Sequence, residues 1–273
     1  MTEAGITLSS HIAIEFREGT GRVRLVNPRR RNAISVGMWR DLQAFAGEVA
    51  HRTDIHVVTV QGDGDSAFSA GADISGFDSG RAGVSQAREY DDLVEETCRA
   101  FEAMPQPSIA LIRGLCIGAG ASLAASCDLR VAADDAFFKV PAARLGLGYD
   151  PRGVQRFVRV FGAASTRILM YTAGRLDAVR AHALGAVHLL APAAELEAVV
   201  ATLAQDIAAN APLTVRAAKV AVRAALLSGN SGDGAGGLGA LAQALAEAAD
   251  GSADYVEGRR AFVEKRPPRF TGS

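Results

Sequence analysis

The chain has 273 residues, 49% of them apolar, and a formal net charge of −1. This length and composition suffice for one buried core with a helical extension. A near-neutral charge gives no electrostatic footprint for nucleic acid or a membrane surface, so we expect neither as a partner.

The first quarter of the chain is predicted to form a hairpin, a helix and a buried strand. Ile12–Phe16 and Gly21–Leu25 alternate apolar and polar residues around a polar turn, as hairpin strands do. Ser35 can cap a helix whose apolar residues share one face. These residues are Met38, Trp39, Leu42, Phe45 and Val49. The apolar run Ile55–Val60 is typical of a buried strand.

Strands and helices also alternate through the middle of the chain. Ser108–Ile112 and Leu129–Ala132 are predicted strands, and Ala87–Ala103 and Ala119–Ser126 are predicted helices. Such alternation indicates an α/β core. We expect residues between Ile74 and Asp92 to form a flexible loop that lines the functional pocket.

The C-terminal part is predicted to be helical. Asn210-Ala211-Pro212 marks a break in the chain. Thr214–Leu227 and Leu238–Ala249 have helical patterns on either side of a glycine-rich link, Ser228–Gly237, which we expect to be mobile.

Two loops of small residues, Phe68–Ile74 and Gly118–Ser122, each follow a predicted buried strand. Small side chains let backbone N–H groups face outward, and a pair of such groups can stabilise an oxygen that gains negative charge. A thioester carbonyl that becomes an enolate has such an oxygen. The alternative interpretation is that both loops are small because backbones pack closely there.

The order of motifs along the chain resembles the crotonase (enoyl-CoA hydratase/isomerase) superfamily from Arg22 to Phe270. The matching pieces in the first half are Asn27-Pro28, Asn32-Ala33, Phe68–Asp73, Gly114 with Gly118-Ala119-Gly120, and Cys127–Arg130. Those in the second half are Gly146–Gly148, Gln155-Arg156, Ala173–Ala178, Leu184–Val187 and a tail from Glu257 to Arg266. No single motif decides the matter, but the ordered set is highly specific.

The resemblance implies an α/β fold built as a spiral of β-β-α units. It divides the chain into a crotonase-like core, residues 1–209, and a C-terminal helical oligomerisation region, residues 210–273. It also implies a homotrimer, which can pair into a hexamer. The ligand would be an acyl-CoA thioester, with no prosthetic group.

The resemblance places an oxyanion hole at the backbone amides of Ala72 and Ala119. Hydratases of this family use two glutamates, and the matching positions here hold Ser122 and Ala142. Serine cannot serve as a carboxylate base and alanine carries no proton to transfer. Ordinary hydration of enoyl-CoA is therefore not the expected reaction. Ser122 is not expected to be a nucleophile, because it is outside a G-x-S-x-G motif and has no evident base.

One acid remains in a suggestive place. Asp150 occupies the position at which dienoyl-CoA isomerases and some hydrolytic and dehalogenating relatives carry an aspartate. Such a carboxylate can move a proton or attack as a nucleophile. Because Pro151 follows it, Asp150 can equally be a turn residue. Tyr149 is either a pocket residue or an apolar packing residue.

The same resemblance implies a coenzyme A site made of backbone groups and basic side chains. The residues that match it are Arg30, Arg31, Ala33, Ala70, Ala72, Asp73, Ile74, Phe262 and Lys265. Arginine suits phosphate by its charge and its planar geometry, although Arg29-Arg30-Arg31 can also be a solvated cluster. Phe262 and Lys265 would come from a neighbouring subunit, and Asp73 would stabilise its loop by hydrogen bonds.

Other classes of site have weak support. Cys98, Cys116 and Cys127 lie in apolar stretches without metal spacing, which indicates buried, reduced thiols in a cytoplasmic protein. The five histidines show no metal spacing, so no metal is expected. Leu123 replaces the third glycine of a dinucleotide-binding motif. The N-terminus lacks a signal pattern and no apolar run has the length of a membrane span.

The sequence thus predicts an acyl-CoA enzyme with one candidate acid/base, Asp150. Double-bond isomerisation fits a single carboxylate better than hydration, and hydrolysis of a thioester or C–C bond is a further reaction of this kind. Two alternatives remain open: a member that binds acyl-CoA without catalysis, and a hydratase with unconventional residues. Family membership alone does not choose the reaction.

Overall fold

The computed structural model describes residues 7–9, 11–73, 84–227 and 235–273. Its strands form two sheets. The seven-stranded sheet runs in the order β1-β2-β3-β4-β6-β8-β11, and the four-stranded sheet in the order β10-β9-β7-β5. The strands are β1 Thr7–Ser9, β2 Ile12–Arg17, β3 Thr20–Leu25, β4 Val57–Gly62, β5 Ala67–Ser69, β6 Ser108–Ile112, β7 Leu115–Ile117, β8 Leu129–Ala133, β9 Phe137–Lys139, β10 Arg175–Asp177 and β11 Leu189–Ala191.

Several helices pack against these sheets, and the helical part of the chain continues beyond the last strand. They are α1 Val36–Ala50, α2 Val84–Ala103, α3 Ala119–Ser126, α4 Pro151–Thr172, α5 Ala178–Ala183, α6 Leu196–Ala208, α7 Pro212–Leu227, α8 Ala235–Asp250 and α9 Ala253–Glu264. Two short 3₁₀ turns, Pro28–Arg30 and Ala142–Arg144, precede α1 and α4. Gly162 breaks α4 with φ 74° and ψ 158°.

The predicted β-β-α units are present. In each unit the first strand joins the large sheet, the second joins the small sheet, and a helix follows. The units are β4-β5-α2, β6-β7-α3 and β8-β9-α4. Strands β4, β6 and β8 are parallel neighbours, as are β5, β7 and β9. Their carboxyl ends therefore meet along one edge, where the two small-residue loops lie.

The N-terminal predictions are confirmed. β2 and β3 pair antiparallel from Ile12 opposite Leu25 to Arg17 opposite Thr20. The Ser35 hydroxyl accepts a hydrogen bond from the amide of Met38, so Ser35 caps α1. All five residues predicted to share its apolar face are buried. The predicted strand at 55–60 lies two residues later, at Val57–Gly62.

Two predicted boundaries are wrong. Residues 84–92 belong to α2 and are not loop, because Tyr90 and Val94 recur at helical spacing and pack into the core. Ile74 and the rest of the predicted flexible loop, 74–83, lie outside the described residues. Gly237 lies within α8, since one glycine costs a helix only about 1 kcal/mol. The remainder of the predicted mobile link, 228–234, is also outside the described residues.

The break at Asn210-Ala211-Pro212 is present, because α6 ends at Ala208 and α7 begins at Pro212. Among the described residues, no single helix is long and apolar enough to cross a membrane. By length and composition alone α6 and α7 pass this test together, but they meet at a bend of 107°.

Candidate active site

Both small-residue loops border one cavity of about 240 Å³. Helix α2 supplies one wall of it, and the segment between β9 and α4 supplies another. The lining includes Ala70, Gly71, Ala72, Tyr90, Asp91, Val94, Glu95, Gly118, Ala119, Ser122, Pro141, Ala142, Leu145, Leu147, Tyr149 and Asp150. The structure thus brings together the predicted oxyanion residues, both substituted glutamate positions and Asp150.

Backbone hydrogen bonds to Ile34 hold the first loop in place, and the amide of Ala72 points away from Ile34. The amide of Ile34 donates to the carbonyl of Gly71 at 2.8 Å, and the amide of Asp73 donates to the carbonyl of Ile34 at 2.9 Å. In a parallel bridge of this kind the intervening residue, Ala72, faces the opposite side. Gly71 permits the turn with φ 108°, a conformation that glycine accepts without strain.

The second loop places Ala119 as the first residue of α3. The first N–H groups of a helix have no intrahelical acceptor, so this amide is free to bind a ligand. A side chain at Gly71 would begin 3.9 Å from the amide nitrogen of Ala119, which shows how closely the loops approach. Among the described residues, neither Ala72 nor Ala119 has a hydrogen-bond acceptor for its amide.

Close packing of the two loops also explains one of the small residues, Gly120. A side chain at Gly120 would begin 2.5 Å from the Cβ of Ser69, so no larger residue fits there. The packing interpretation and the anion-binding interpretation are therefore compatible: Gly120 brings the loops together, and the amides beside it remain free.

The two hydratase glutamate positions carry no carboxylate in the cavity. Ser122 and Ala142 are buried at 2% and 6% exposure and both line it. The Ser122 hydroxyl lies 2.7 Å from the Tyr149 hydroxyl, with which it shares a hydrogen bond. Burial raises the pKa of Tyr149 well above its usual value. Tyr149 thus has a polar contact in the cavity as well as an edge-on contact with the Phe157 ring.

Asp150 lines the cavity and also caps α4. One carboxylate oxygen accepts the amide of Arg152 at 2.8 Å and its Nε at 2.9 Å, while the other accepts Nη2 at 2.7 Å. Hydrogen bonds from Arg152 lower the pKa of Asp150, so this carboxylate is ionised at neutral pH. Arg152 also donates to Asp92 at 2.7 Å. The turn role and a place in the cavity therefore coexist.

Two further acids line the cavity, and the sequence reasoning missed both. Asp91 and Glu95 are four residues apart on α2 and so share a helix face. Glu95 is buried and forms a two-pronged ion pair with the guanidinium of Arg156. The sequence did contain a signal for Glu95, because it lies beside Val94 and Cys98 on a helix face that is otherwise apolar. An acid is seldom buried without a partner, so its position predicts a buried ion pair.

The predicted coenzyme A residues near Arg30 are connected by hydrogen bonds. The Arg30 guanidinium donates to the Asp73 carboxylate at 2.6 Å, which agrees with the loop-stabilising role expected of Asp73. The amide of Ala70 donates to the carbonyl of Arg31 at 2.9 Å, and the amide of Ala33 to that of Arg30 at 3.1 Å. The arginine stretch and the first small-residue loop are therefore held together.

Comparison with known proteins decides the family. The family model for enoyl-CoA hydratase/isomerase matches residues 15–273. The chain belongs to the enoyl-CoA hydratase/isomerase family. The crotonase-type fold agrees with this, since a crystal structure of an enoyl-CoA hydratase/carnithine racemase from Magnetospirillum magneticum superposes with a TM-score of 0.88. That structure is 33% identical in sequence, and the match covers 97% of each chain.

Named relatives of this enoyl-CoA hydratase/isomerase family member include hydratases and isomerases. The putative enoyl-CoA hydratase/isomerase YngF of Bacillus subtilis is 35% identical over 197 residues, which are 72% of this chain and 75% of the relative. The mitochondrial Delta(3,5)-Delta(2,4)-dienoyl-CoA isomerase of Homo sapiens is 33% identical over 208 residues, or 71% of this chain and 62% of that protein.

The two predicted ligand residues of the tail do not reach the cavity within one chain. Phe262 is 86% exposed and borders a separate groove between α7, α8 and α9. Lys265 ends α9 in a left-handed conformation, with φ 55°. Their contact with a nucleotide therefore requires a neighbouring subunit and stays a prediction. Among the described residues of this family member, no group of three His, Cys, Asp or Glu could hold a metal ion.

Proposed function

We propose that this protein binds an acyl-CoA thioester and stabilises its enolate between the amides of Ala72 and Ala119. The observation that carries the proposal is that these two unpaired N–H groups border the same cavity. Main-chain donors of this kind, fixed before reaction, stabilise a developing oxyanion by about 3 kcal/mol each when well aimed. The names of the relatives, which act on enoyl-CoA and dienoyl-CoA, support the same class of ligand.

The reaction that suits the cavity best is migration of a double bond. Asp150 would take a proton from one carbon of the acyl chain, leaving the enolate, and would return that proton to another carbon. No water is consumed, so one carboxylate suffices. Ser122 and Ala142 argue against hydration, which in this family uses two carboxylates. Hydrolysis of a thioester or C–C bond would use Asp150 as nucleophile or as base for water.

The Arg152 ion pair has two consequences for Asp150. It keeps the carboxylate ionised and ready to accept a proton, but it also weakens the carboxylate as a base, because its pKa is lowered. The amides must therefore supply much of the stabilisation of the enolate. The same ion pair favours a second candidate function, a member that binds acyl-CoA without catalysis, in which Asp150 is only a helix cap.

The coenzyme A moiety would lie along the surface formed by Arg30, Arg31, Ala33 and Ala70. Asp73 already neutralises part of the Arg30 charge, so Arg31 is the cation we assign to phosphate. In a homotrimer, Phe262 and Lys265 of a neighbouring subunit would complete this site.

A panel of saturated, 2-enoyl, 3-enoyl and dienoyl CoA esters, monitored by mass spectrometry and ultraviolet absorbance, tests the proposal. Isomerisation leaves the mass unchanged and moves the absorbance, hydration adds one water, and hydrolysis releases coenzyme A. We expect isomerisation, and we expect Asp150→Asn to lower kcat at least a hundredfold without loss of affinity. Asp92→Asn, which removes the other partner of Arg152, is the matched control.

The outcomes separate the candidates. Binding without turnover of any ester supports the non-catalytic member. Rapid hydration of crotonyl-CoA would contradict the assignment of Asp150 as acid/base. No binding of any CoA ester would contradict the proposed function as a whole.

A further inference from the structure

A second cavity, of about 560 Å³, lies between the start of β8, helix α4 and helix α7. Among the described residues, it shares no lining residue with the candidate active site. The ion pair between Glu95 and Arg156 separates the two cavities, because Glu95 lines the active-site cavity and Arg156 lines the second. The volume of the second cavity is in the range of small-molecule sites, yet the proposed reaction makes no use of it.

The lining of the second cavity is basic. Its charged side chains, within the described part of the chain, are Arg130, Arg156, Arg159, Lys219, Arg223, Glu102 and Asp128. Both acids are already paired. Glu102 accepts from Arg156 at 2.8 Å and from Arg159 at 3.2 Å, and the carboxylate of Asp128 accepts from Lys219 at 2.8 Å. Five cations thus surround the cavity against two neutralised carboxylates, which favours an anionic ligand.

Arg130 is a buried cation without a counterion. It is 5% exposed, and no carboxylate of the described residues forms an ion pair with it. Its Nε donates to the carbonyl of Ala186 at 2.6 Å, and its Nη1 donates to those of Cys127 at 2.7 Å and Ala124 at 3.3 Å. Nη2 has no acceptor in the described ranges. Because burial penalises an uncompensated charge, it lowers the pKa of Arg130. An anion in the cavity would supply the missing partner.

Arg223 adds a second cation without a partner. It is four residues after Lys219 on α7, so both side chains lie on the helix face that borders the cavity. Whereas Lys219 binds Asp128, Arg223 forms no hydrogen bond or ion pair with any described side chain. A planar guanidinium with several donors suits a carboxylate. Arg130 and Arg223 therefore mark the part of the cavity that would bind the charged end of a ligand.

The remaining walls are apolar and favour an anion with an aliphatic tail. Val160 of α4 and Ile207 of α6 line the cavity and pack against the core. Val222 and Leu226, which share a face of α7, are 60% and 57% exposed. An inorganic anion would leave these side chains in water. An aliphatic chain would cover them and remove apolar surface from water, which is favourable.

We propose that the second cavity binds a fatty acid, with its carboxylate at Arg130 and Arg223 and its aliphatic chain along Val160, Val222 and Leu226. Charge and apolar contact hold the ligand, and no bond is made or broken. This binding does not depend on the proposed acyl-CoA site, because the Glu95–Arg156 ion pair separates the two cavities.

Isothermal titration of the full-length protein with octanoate, octanol and inorganic phosphate tests this assignment. We expect octanoate to bind about tenfold more tightly than either of the others, because octanol lacks the charge and phosphate lacks the chain. Arg223→Glu should weaken octanoate binding by about tenfold or more, since it replaces an attractive charge by a repulsive one. Arg216→Glu, at an exposed residue of the same helix outside this cavity, is the matched control.

A second variant distinguishes the two cavities. Ala142→Leu narrows the active-site cavity, and octanoate affinity should stay within about twofold of wild type because distant sites act independently. Loss of octanoate binding in this variant would place the fatty acid in the active-site cavity and overturn the inference.

Three other results would also overturn it. These are no binding of octanoate by the wild type, equal affinity for octanoate and either of the other probes, and unchanged octanoate affinity in Arg223→Glu. Sedimentation velocity of the same variant provides a further check. A smaller assembly for Arg223→Glu than for the wild type would assign this face of α7 to contacts between copies of the chain, and would overturn the fatty-acid site as well.

Discussion

At the scale of single residues, the proposed chemistry depends on backbone groups whose position the sequence could reveal. Gly71 and Gly118 have positive φ, and the residue after each, Ala72 and Ala119, lines the cavity. Small-residue loops after buried strands predicted this position, and the family resemblance assigned it. The Arg152 ion pair could not be predicted in the same way, because a side chain two residues along a helix can point to several partners.

Arg152 gives a pH-dependent prediction. Its hydrogen bonds lower the pKa of Asp150, so the acid limb of kcat/KM should lie below the usual aspartate pKa of about 3.9. Arg152→Gln removes the positive charge and should raise that pKa, which moves the acid limb to higher pH. Initial rates measured between about pH 2.5 and 7 in wild type, Arg152→Gln and Asp92→Asn check this. An acid limb at the same pH in all three proteins would contradict Asp150 as the base.

At the scale of elements, periodicity predicted most helices and strands, because apolar residues recur at 2.0 or 3.6 residues wherever one face is buried. The two wrong helix boundaries lie where this apolar repeat ends. The first three residues of α2, Val84-Ser85-Gln86, show no apolar repeat, and α8 begins among glycines, so neither start has a clear pattern. The spiral of β-β-α units was implied by the family resemblance, whereas the order of the strands in the two sheets was not predicted, since periodicity does not identify strand partners.

Lys219 connects helix α7 to the core and provides a prediction at this scale. Its ammonium group donates to Asp128 at 2.8 Å and to the carbonyl of Gln106 at 2.9 Å. Its side chain is only 7% exposed. Lys219→Met removes the cation beside the Asp128 carboxylate, which keeps only its hydrogen bonds from Ser108, and removes this donor from the Gln106 carbonyl. We therefore expect a loss of about 2 kcal/mol in the free energy of unfolding.

Denaturant titration measures this loss, with Arg216→Met on the exposed side of the same helix as control. Equal stability of the two variants would mean that α7 is held by its apolar contacts alone.

At the scale of the whole molecule, the C-terminal region exposes an apolar surface on α9. Tyr255, Val256, Phe262 and Val263 are 49%, 67%, 86% and 79% exposed, respectively. Exposed apolar side chains grouped on one helix in this way are typical of an interaction site. The predicted homotrimer would bury it, and the predicted ligand contacts of Phe262 and Lys265 require that neighbour. The division at residue 209 coincides with the break between α6 and α7, although Lys219 ties the second part to the first.

Phe262→Glu tests the predicted assembly. Because this side chain is exposed in the single chain, the substitution should not disturb the fold, but it should weaken an interface that buries it. Sedimentation velocity should find a trimer or hexamer for the wild type and smaller species for Phe262→Glu, with weaker binding of coenzyme A. Val84→Glu, at a residue 73% exposed on α2, is the control. A monomeric wild type with full affinity for coenzyme A would contradict the predicted assembly.

The carbonyl stretch of a bound thioester reports the oxyanion hole itself. Isotope-edited infrared difference spectra of butyryl-CoA with ¹³C at the carbonyl should show the bound band at lower frequency than in water, because two fixed amides polarise it. Ala119→Pro should remove most of this shift. Proline is tolerated at the first position of a helix, and it replaces the N–H in question with its ring Cδ, which also occupies the space where the carbonyl oxygen would bind. Val36→Pro, at the first position of α1, is the matched control. A carbonyl band at its solution frequency in the wild-type complex would contradict an oxyanion hole at Ala72 and Ala119.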